Sequence, residues 1–301
     1  MDIIDEGIVL IQSLNKEWHE GKVTSVDMLR LDLLHPVISG NKWYKLKKNI
    51  EYALSQQFKS VLTFGGAYSN HLVATAAATQ QANLHSIGIV RGNPRDMELT
   101  KTLLDCKRLG MELHFVSREE YNKKNDPDWL KKLAEKFSEA FIVPEGGANE
   151  YGRFGSAEIK KFVSRDYTHV AVSVGTGTTM IGLRNALPVS QKLLGFVPMK
   201  NGTYLKEYIS NHLLPEKNDN WQLFDVWHFG GFGKWNNELI HFMNSFYVQN
   251  NIALDIVYTS KMMYGIKELI QKNFFDQNAK IICIHTGGGQ GNVSIKDKLN
   301  F

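Results

Sequence analysis

Cysteine is almost missing from this chain of 301 residues, which carries only Cys106 and Cys283. The two show no metal-ligand spacing, and each sits among apolar or helix-forming neighbours, so both read as buried structural thiols. Nor is there an apolar run near the roughly 18 residues that a membrane span needs, and no membrane partner is expected. The start, Met1-Asp2-Ile3-Ile4-Asp5-Glu6, lacks the basic residues of a signal or transit peptide, so the expected location is cytoplasmic. No basic block interleaved with aromatics occurs, and the net charge of +4 is scattered, which argues against nucleic acid as a partner. Low-complexity linkers and fixed-period repeats are absent too. What is present, 43% hydrophobic and 22% charged residues, is an ordinary globular composition with material for an ample core.

Short apolar runs alternate with amphipathic stretches almost from end to end. Strands are predicted over 61–64, 86–90, 113–116, 141–143, 170–174, 193–197, 224–228, 255–258 and 281–285, with a strand-compatible alternation over 26–34. Several run straight into glycine, at Gly65-Gly66, Gly92, Gly146-Gly147, Gly175, Gly230-Gly231 and Gly287-Gly288-Gly289. Repeated strand, glycine turn and helix is the signature of right-handed parallel units, so the fold class is α/β. Ligands in such folds collect at the carboxyl ends of strands, where these glycines fall. The most hydrophilic stretch, 117–132, reads as a solvated face, with Asp126-Pro127 as a helix cap and first-turn proline.

Lys42 stands out. It lies in Ser39-Gly40-Asn41-Lys42-Trp43-Tyr44-Lys45, after a glycine turn and at the mouth of a helix marked by Trp43, Leu46, Ile50, Ala53 and Leu54. Helix-start amides disfavour an ammonium, which helps a lysine act as a neutral amine. Three glycine loops add to it. Gly65-Gly66-Ala67-Tyr68-Ser69-Asn70-His71 opens a small-residue helix over 72–82 and aims several polar donors at one point, although Ser69 or Asn70 could simply cap that helix. Val174-Gly175-Thr176-Gly177-Thr178-Thr179 opens a helix over 180–186 and reads as a phosphate cradle. It is not a Walker loop, and Met180 stands where Gly-x-Gly-x-x-Gly needs its last glycine, so nucleotide binding loses ground without being excluded. The third loop is His285-Thr286-Gly287-Gly288-Gly289-Gln290-Gly291. One ligand would use all these parts: pyridoxal 5'-phosphate, an aldehyde with a phosphate handle that a lysine can hold. A nucleotide-dependent oxidoreductase would leave Lys42 and the Ser69-Asn70 loop without work. A non-catalytic homologue that only binds the cofactor is a further alternative.

Gly40-Asn41-Lys42-x-x-Lys45-Leu46, Gly65-Gly66-x-x-Ser69-Asn70, the threonine-glycine phosphate loop, Val257-Tyr258-Thr259-x-Lys261 and His285-Thr286-Gly287-Gly288 occur here in one order. In that order the chain resembles the 1-aminocyclopropane-1-carboxylate (ACC) deaminase and D-cysteine desulfhydrase family, over about residues 25 to 295. The resemblance implies a tryptophan synthase β-like fold (pyridoxal phosphate fold type II) with two parallel-sheet-containing domains and the cofactor between them. A small domain is expected over 48–145, and a large one over 1–47 plus 146–301. Lys42 would be the Schiff-base lysine and proton shuttle, and Asn70 would hold the cofactor's phenolic oxygen. Gly175, Thr176, Gly177, Thr178 and Thr179 would bind the phosphate, with Thr286 also at the cofactor. Ser69, with Asn70 and His71 beside it, would grip the substrate carboxylate. Tyr258 would lie against a small amino-acid substrate as acid, base or nucleophile, unless it is only a half-buried strand tyrosine. No metal is implied, and relatives suggest a homodimer.

Two positions bear on the activity that this resemblance implies. ACC deaminases carry glutamate after the Tyr258 position and leucine at the Thr286 position, whereas this chain has Thr259 and Thr286, as desulfhydrases do. A carboxylate at the pyridine nitrogen keeps it protonated, while a hydroxyl leaves a weaker electron sink that suits loss of a good leaving group. The expectation is therefore a desulfhydrase-like β-elimination, with ACC ring opening as the alternative. Three departures from the family pattern stand out: Tyr44 replaces an arginine, Ile256 replaces a proline, and the amino-terminal substrate-side segment is reduced to 10–14. The aromatic run from Trp227 to Trp235 is a fourth, and would be either a packed turn or a wall beside the site.

Overall fold

The computed structural model describes residues 4–93 and 99–301. Ten strands are found among them: β1 (Ile11–Ser13), β2 (Ser25–Leu29), β3 (Ser60–Gly65), β4 (His85–Arg91), β5 (Met111–Val116), β6 (Ala140–Val143), β7 (His169–Ser173), β8 (Lys192–Phe196), β9 (Trp221–Phe224) and β10 (Lys280–Ile284). They form a six-stranded sheet in the order β1-β2-β10-β7-β8-β9 and a four-stranded sheet in the order β5-β4-β3-β6. Only β1 runs antiparallel, against β2; every other pairing is parallel.

Parallel strands covered on both faces need apolar side chains on both, which explains the unbroken apolar runs. All six residues of β3 are buried. On one face of the four-stranded sheet, Leu72, Val73 and Ala76 of the helix Asn70–Gln81 pack with Leu103 and Cys106 of the helix Lys101–Arg108. Tyr121 and Leu133 close the other face, so the hydrophilic 117–132 stretch also contributes to a core. In the six-stranded sheet, Met28, Ala171, Leu194 and Cys283 meet Trp18, Phe246 and Met263 on one side. Both cysteines are free and fully buried, as their neighbours suggested.

The helix Asn41–Ser55 turns Trp43, Leu46, Ile50 and Ala53 inward at a spacing of three and four residues, leaving Lys47, Lys48 and Glu51 on the outer side. Its backbone lies so close to the helix Glu150–Ala157 that a Cβ at Gly155 would come within 1.8 Å of the Tyr44 carbonyl oxygen. Tyr44 itself is core, its hydroxyl donating to Glu6 Oε2 at 3.3 Å.

Two predicted strands require correction. β9 ends at Phe224, where a strand over 224–228 was expected, because its pairing with β8 runs from Trp221 to Phe224. Residues 255–258 are a turn, because the Asp255 carboxylate captures the amides of Val257, Tyr258 and Thr259 before any strand partner can. The helix predicted over 72–82 begins at Asn70, and that over 180–186 begins at Thr178. Among the described residues no helix is long and apolar enough to cross a membrane, and no cluster of histidine, cysteine and carboxylates could hold a metal ion.

A long-range anchor without a local sequence signature secures the far end of the helix Thr178–Ala186. Fully buried Arg184 donates to the carbonyls of Leu187, Pro188, Gln191 and Asn220 at 2.6–3.2 Å. Arg184→Met should cost about 1–3 kcal/mol, since it leaves the buried Gln191 carbonyl without a donor and removes one of two donors from the other three. A urea midpoint within error of the wild type would refute that.

Candidate active site

The carboxyl ends of β10, β7, β3 and β6 deliver the loops after Ile284, Ser173, Gly65 and Val143, as the glycine pattern implied. Lys42 is the second residue of the helix Asn41–Ser55, half-buried, with its Nζ donating to Asn41 Oδ1 at 2.9 Å. Asn41 in turn donates from Nδ2 to Thr179 Oγ1 at 2.9 Å, which ties the lysine to the threonine-glycine loop. Burial pushes the Lys42 amine down to about 8, with the Asp255 carboxylate pulling the other way. Desolvation, rather than the helix dipole alone, makes it a readily neutralised amine.

Tyr258 faces the same space. Its ring centroid lies 5.9 Å from Lys42 Nζ, and a Cβ at Gly175 would touch the ring at 3.5 Å. It is the N-cap of the helix Thr259–Gln271, not a strand residue. Burial, then the Asp255 and Glu145 carboxylates, raise its phenol far above the ordinary value, so it keeps its proton at neutral pH. Among the described residues its hydroxyl has no hydrogen-bond partner. Asp255 organises this turn: its carboxylate accepts from three backbone amides and from the Thr259 hydroxyl at 2.7 Å.

The threonine-glycine loop runs from β7 into the helix Thr178–Ala186. Thr176 and Thr178 share a hydrogen bond at 2.9 Å, Thr178 and Thr179 are buried, and Gly177 caps the helix at φ 82°. The first amides of that helix have no acceptor within it and point towards the loop. A Cβ at Gly146 would lie 2.8 Å from Thr176, so the loop after β6 closes against it. Thr286 is buried, its carbonyl accepting from the Asn41 amide at 3.4 Å while its hydroxyl has no protein partner among the described residues. Thr259 differs, because its hydroxyl is committed to Asp255.

The Ser69 loop serves two purposes. Ser69 caps the helix Asn70–Gln81 by accepting from Leu72 N at 3.3 Å, and it remains half-buried along with Asn70. Asn70 lines a cavity of about 520 Å³ with Tyr68, Lys101, Arg108 and Gln290. His71, expected beside Ser69 at the substrate carboxylate, is buried and turns its Nε2 to Thr63. Its Nε2 meets Thr63 Oγ1 at 3.0 Å, and that hydroxyl donates to the Val143 carbonyl, so the ring donates there and Nδ1 is bare. Burial, then Lys45 and Lys42, push it down to about 3, so it is neutral.

Sequence reasoning assigned no role to Asn41, Asp255 or Lys45. Lys45 is 7% exposed, without a hydrogen-bond or carboxylate partner among the described residues, and burial and Lys42 lower its amine to about 7. Two lysines and a bare imidazole nitrogen crowd one interior space. The two amines fit an anionic ligand, whereas the bare Nδ1 can only accept.

Comparison with known proteins supplies the family. A Pyrococcus horikoshii protein provisionally named 1-aminocyclopropane-1-carboxylate deaminase is 30% identical over 292 residues, which is 90% of this chain and 86% of that protein. The chain belongs to the ACC deaminase and D-cysteine desulfhydrase family. A mitochondrial Arabidopsis thaliana member, named bifunctional D-cysteine desulfhydrase/ACC deaminase, is 27% identical and matches 92% of this chain and 75% of its own length. The crystal structure of an ACC deaminase homologue superposes with a TM-score of 0.81 at 27% identity, over 96% of this chain and 92% of that one. The fold is therefore the tryptophan synthase β-like one of fold-type-II pyridoxal phosphate enzymes. No protein-family model matches the chain.

Proposed function

We propose that this chain is a pyridoxal-phosphate-dependent deaminating lyase that acts on a small amino acid in the manner of a D-cysteine desulfhydrase. Net, an amino acid with a β-substituent and one water give an α-keto acid, ammonia and the protonated β-substituent, which is sulfide when the substrate is cysteine. The observation that carries this reading is the meeting of Lys42, Asn41, Thr179 and Tyr258 at the Gly175 loop. A phosphorylated aldehyde fits the donors present: a low-pKa lysine amine, a threonine-lined helix start, an unpartnered buried Lys45 and a free Thr286 hydroxyl.

When bound, pyridoxal phosphate supplies an aldehyde for a lysine amine and a ring that withdraws electrons from the carbon beside the amino group. Gly175 to Thr179 would hold its phosphate through backbone amides and hydroxyls, and Asn70 its phenolic oxygen. Asn41 orients Lys42 Nζ, which in its neutral form can take a proton from the substrate's α-carbon. Tyr258, held protonated, can give a proton to the departing β-substituent. Ser69 would bind the substrate carboxylate, while His71 supports that loop from behind. A free Thr286 hydroxyl, were it rather than a carboxylate to meet the ring nitrogen, would leave a weaker electron sink, which favours loss of thiolate over ring opening. We further propose two domains, 48–145 and the remainder, that close over the substrate and exclude water.

A panel of D- and L-cysteine, D- and L-serine and ACC, scored for keto acid, ammonia and sulfide, tests the assignment. Sulfide and pyruvate from cysteine are expected to dominate. Turnover confined to ACC, giving 2-oxobutyrate, would replace the first reading with the second.

A further inference from the structure

Lys261 is a charged residue that the mechanism leaves unused. It is 2% exposed, in the first turn of the helix Thr259–Gln271 and three residues past Tyr258. Its Nζ donates to the carbonyls of Pro198 at 3.2 Å, His228 at 2.8 Å and Gly231 at 2.9 Å. An ammonium has three donors, and here neutral backbone carbonyls take all of them. No carboxylate pairs with it among the described residues. Burying a cation in this way is costly, and core filling alone would be served better by methionine or leucine.

Those three carbonyls belong to two loops that follow β8 and β9. The second holds Phe229, Gly230, Gly231 and Gly233 at φ values of 50, 95, 129 and 67°: Phe229 is in a disfavoured region, and the three glycines are free to adopt many others, so the loop does not hold this shape by its own backbone preferences. Within it, Phe232 is 57% exposed and meets Tyr258 edge-on, with ring centroids 5.9 Å apart at 73°. One helix start thus carries both the candidate proton donor and the cation that fixes the wall beside it.

We propose that Lys261 is a positioning residue that locks the 228–233 loop so that Phe232 forms an aromatic wall at Tyr258, and that this wall selects a sulfur-bearing β-substituent over a hydroxyl. The choice of substituent rests on the function proposed above. The physical basis is the attraction between a polarizable sulfur and an aromatic ring, together with the poor hydration that such a wall offers a hydroxyl.

The test pairs a readout independent of turnover with one that depends on it. In Lys261→Met, amide exchange should accelerate at least about ten-fold across the peptide spanning 228–235, where Gly231 N and Lys234 N are hydrogen-bonded, with 60–65 unchanged. Lys261→Gln, which keeps two N–H donors, should fall between that variant and the wild type. In Phe232→Ala the cysteine-to-serine ratio of kcat/KM should fall about five- to ten-fold, mostly through KM for cysteine, and Lys261→Met should move it the same way. Unchanged exchange in both Lys261 variants overturns the lock. An unchanged ratio in Phe232→Ala overturns the wall, as does misfolding of both Lys261 variants combined with that unchanged ratio. A wild type that turns over no amino acid would sink the function proposed above, while the exchange result would still decide the lock.

Discussion

Lys42→Ala should fold, stay colourless with added pyridoxal phosphate, and lose at least about a thousand-fold in keto-acid production. Wild-type protein should gain a visible absorbance band with the cofactor, and borohydride should bleach it; the variant should show neither change. The pH dependence follows from burial. In the folded protein the Lys42 amine sits at about 8, against 10.5 when free. Below about 8 both folded and unfolded chains hold the proton, and the cost of the buried ammonium is fully present. As pH rises from about 8 to 10.5 the folded protein sheds the proton first, and wild-type stability gains relative to the variant by no more than about 3 kcal/mol. Urea titrations of the pair at pH 7 and pH 10 measure that gain. A difference flat in pH would show that Lys42 is not desolvated, and a coloured variant would show that the wrong lysine has been assigned.

The alternation of apolar runs and glycine turns was enough to read the parallel architecture, because β3, β4, β7 and β10 are buried on both faces and tolerate little else. Where the reading slipped, a local competitor was at work. Ile256-Val257-Tyr258 is as apolar as a strand, but one carboxylate at Asp255 collects the amides that a ladder would have used. β9 is an edge strand, its four residues only half-buried, so its alternation fades into the aromatic run that follows. Lys42 and the Gly175 loop were legible because a short motif carries their geometry. The bond from Asn41 to Thr179 spans 138 residues of sequence, and the unpartnered state of Lys45 depends on what the fold leaves out of reach. Neither has a local signature. His71 shows the opposite hazard: a motif position suggested a carboxylate partner, and the fold spent the ring on Thr63.

Gly40→Ala should be the most damaging single methyl group in the chain's candidate site. Gly40 caps the Lys42 helix at φ 67° and ψ −142°, a region that costs a residue bearing a Cβ about 1–3 kcal/mol. Space is the larger obstacle: the added Cβ would fall 2.0 Å from the Thr286 carbonyl oxygen and 2.5 Å from the Gly287 nitrogen. Both are backbone atoms, so no rotamer change relieves the overlap. Either the loop after β10 moves away from the helix start, carrying Thr286 from the cofactor space, or Lys42 rotates off the line set by Asn41. The expected loss is at least about 3 kcal/mol, with cofactor binding weakened even where the protein stays folded. Gly233→Ala separates the two contributions. It shares a φ of 67°, yet its Cβ would meet nothing within 4 Å, so only the conformational cost of about 1 kcal/mol applies. Urea midpoints and cofactor titrations of the two variants side by side decide the matter. Equal destabilisation would mean that the helix start and the Thr286 loop are not held in register by the missing side chain at position 40.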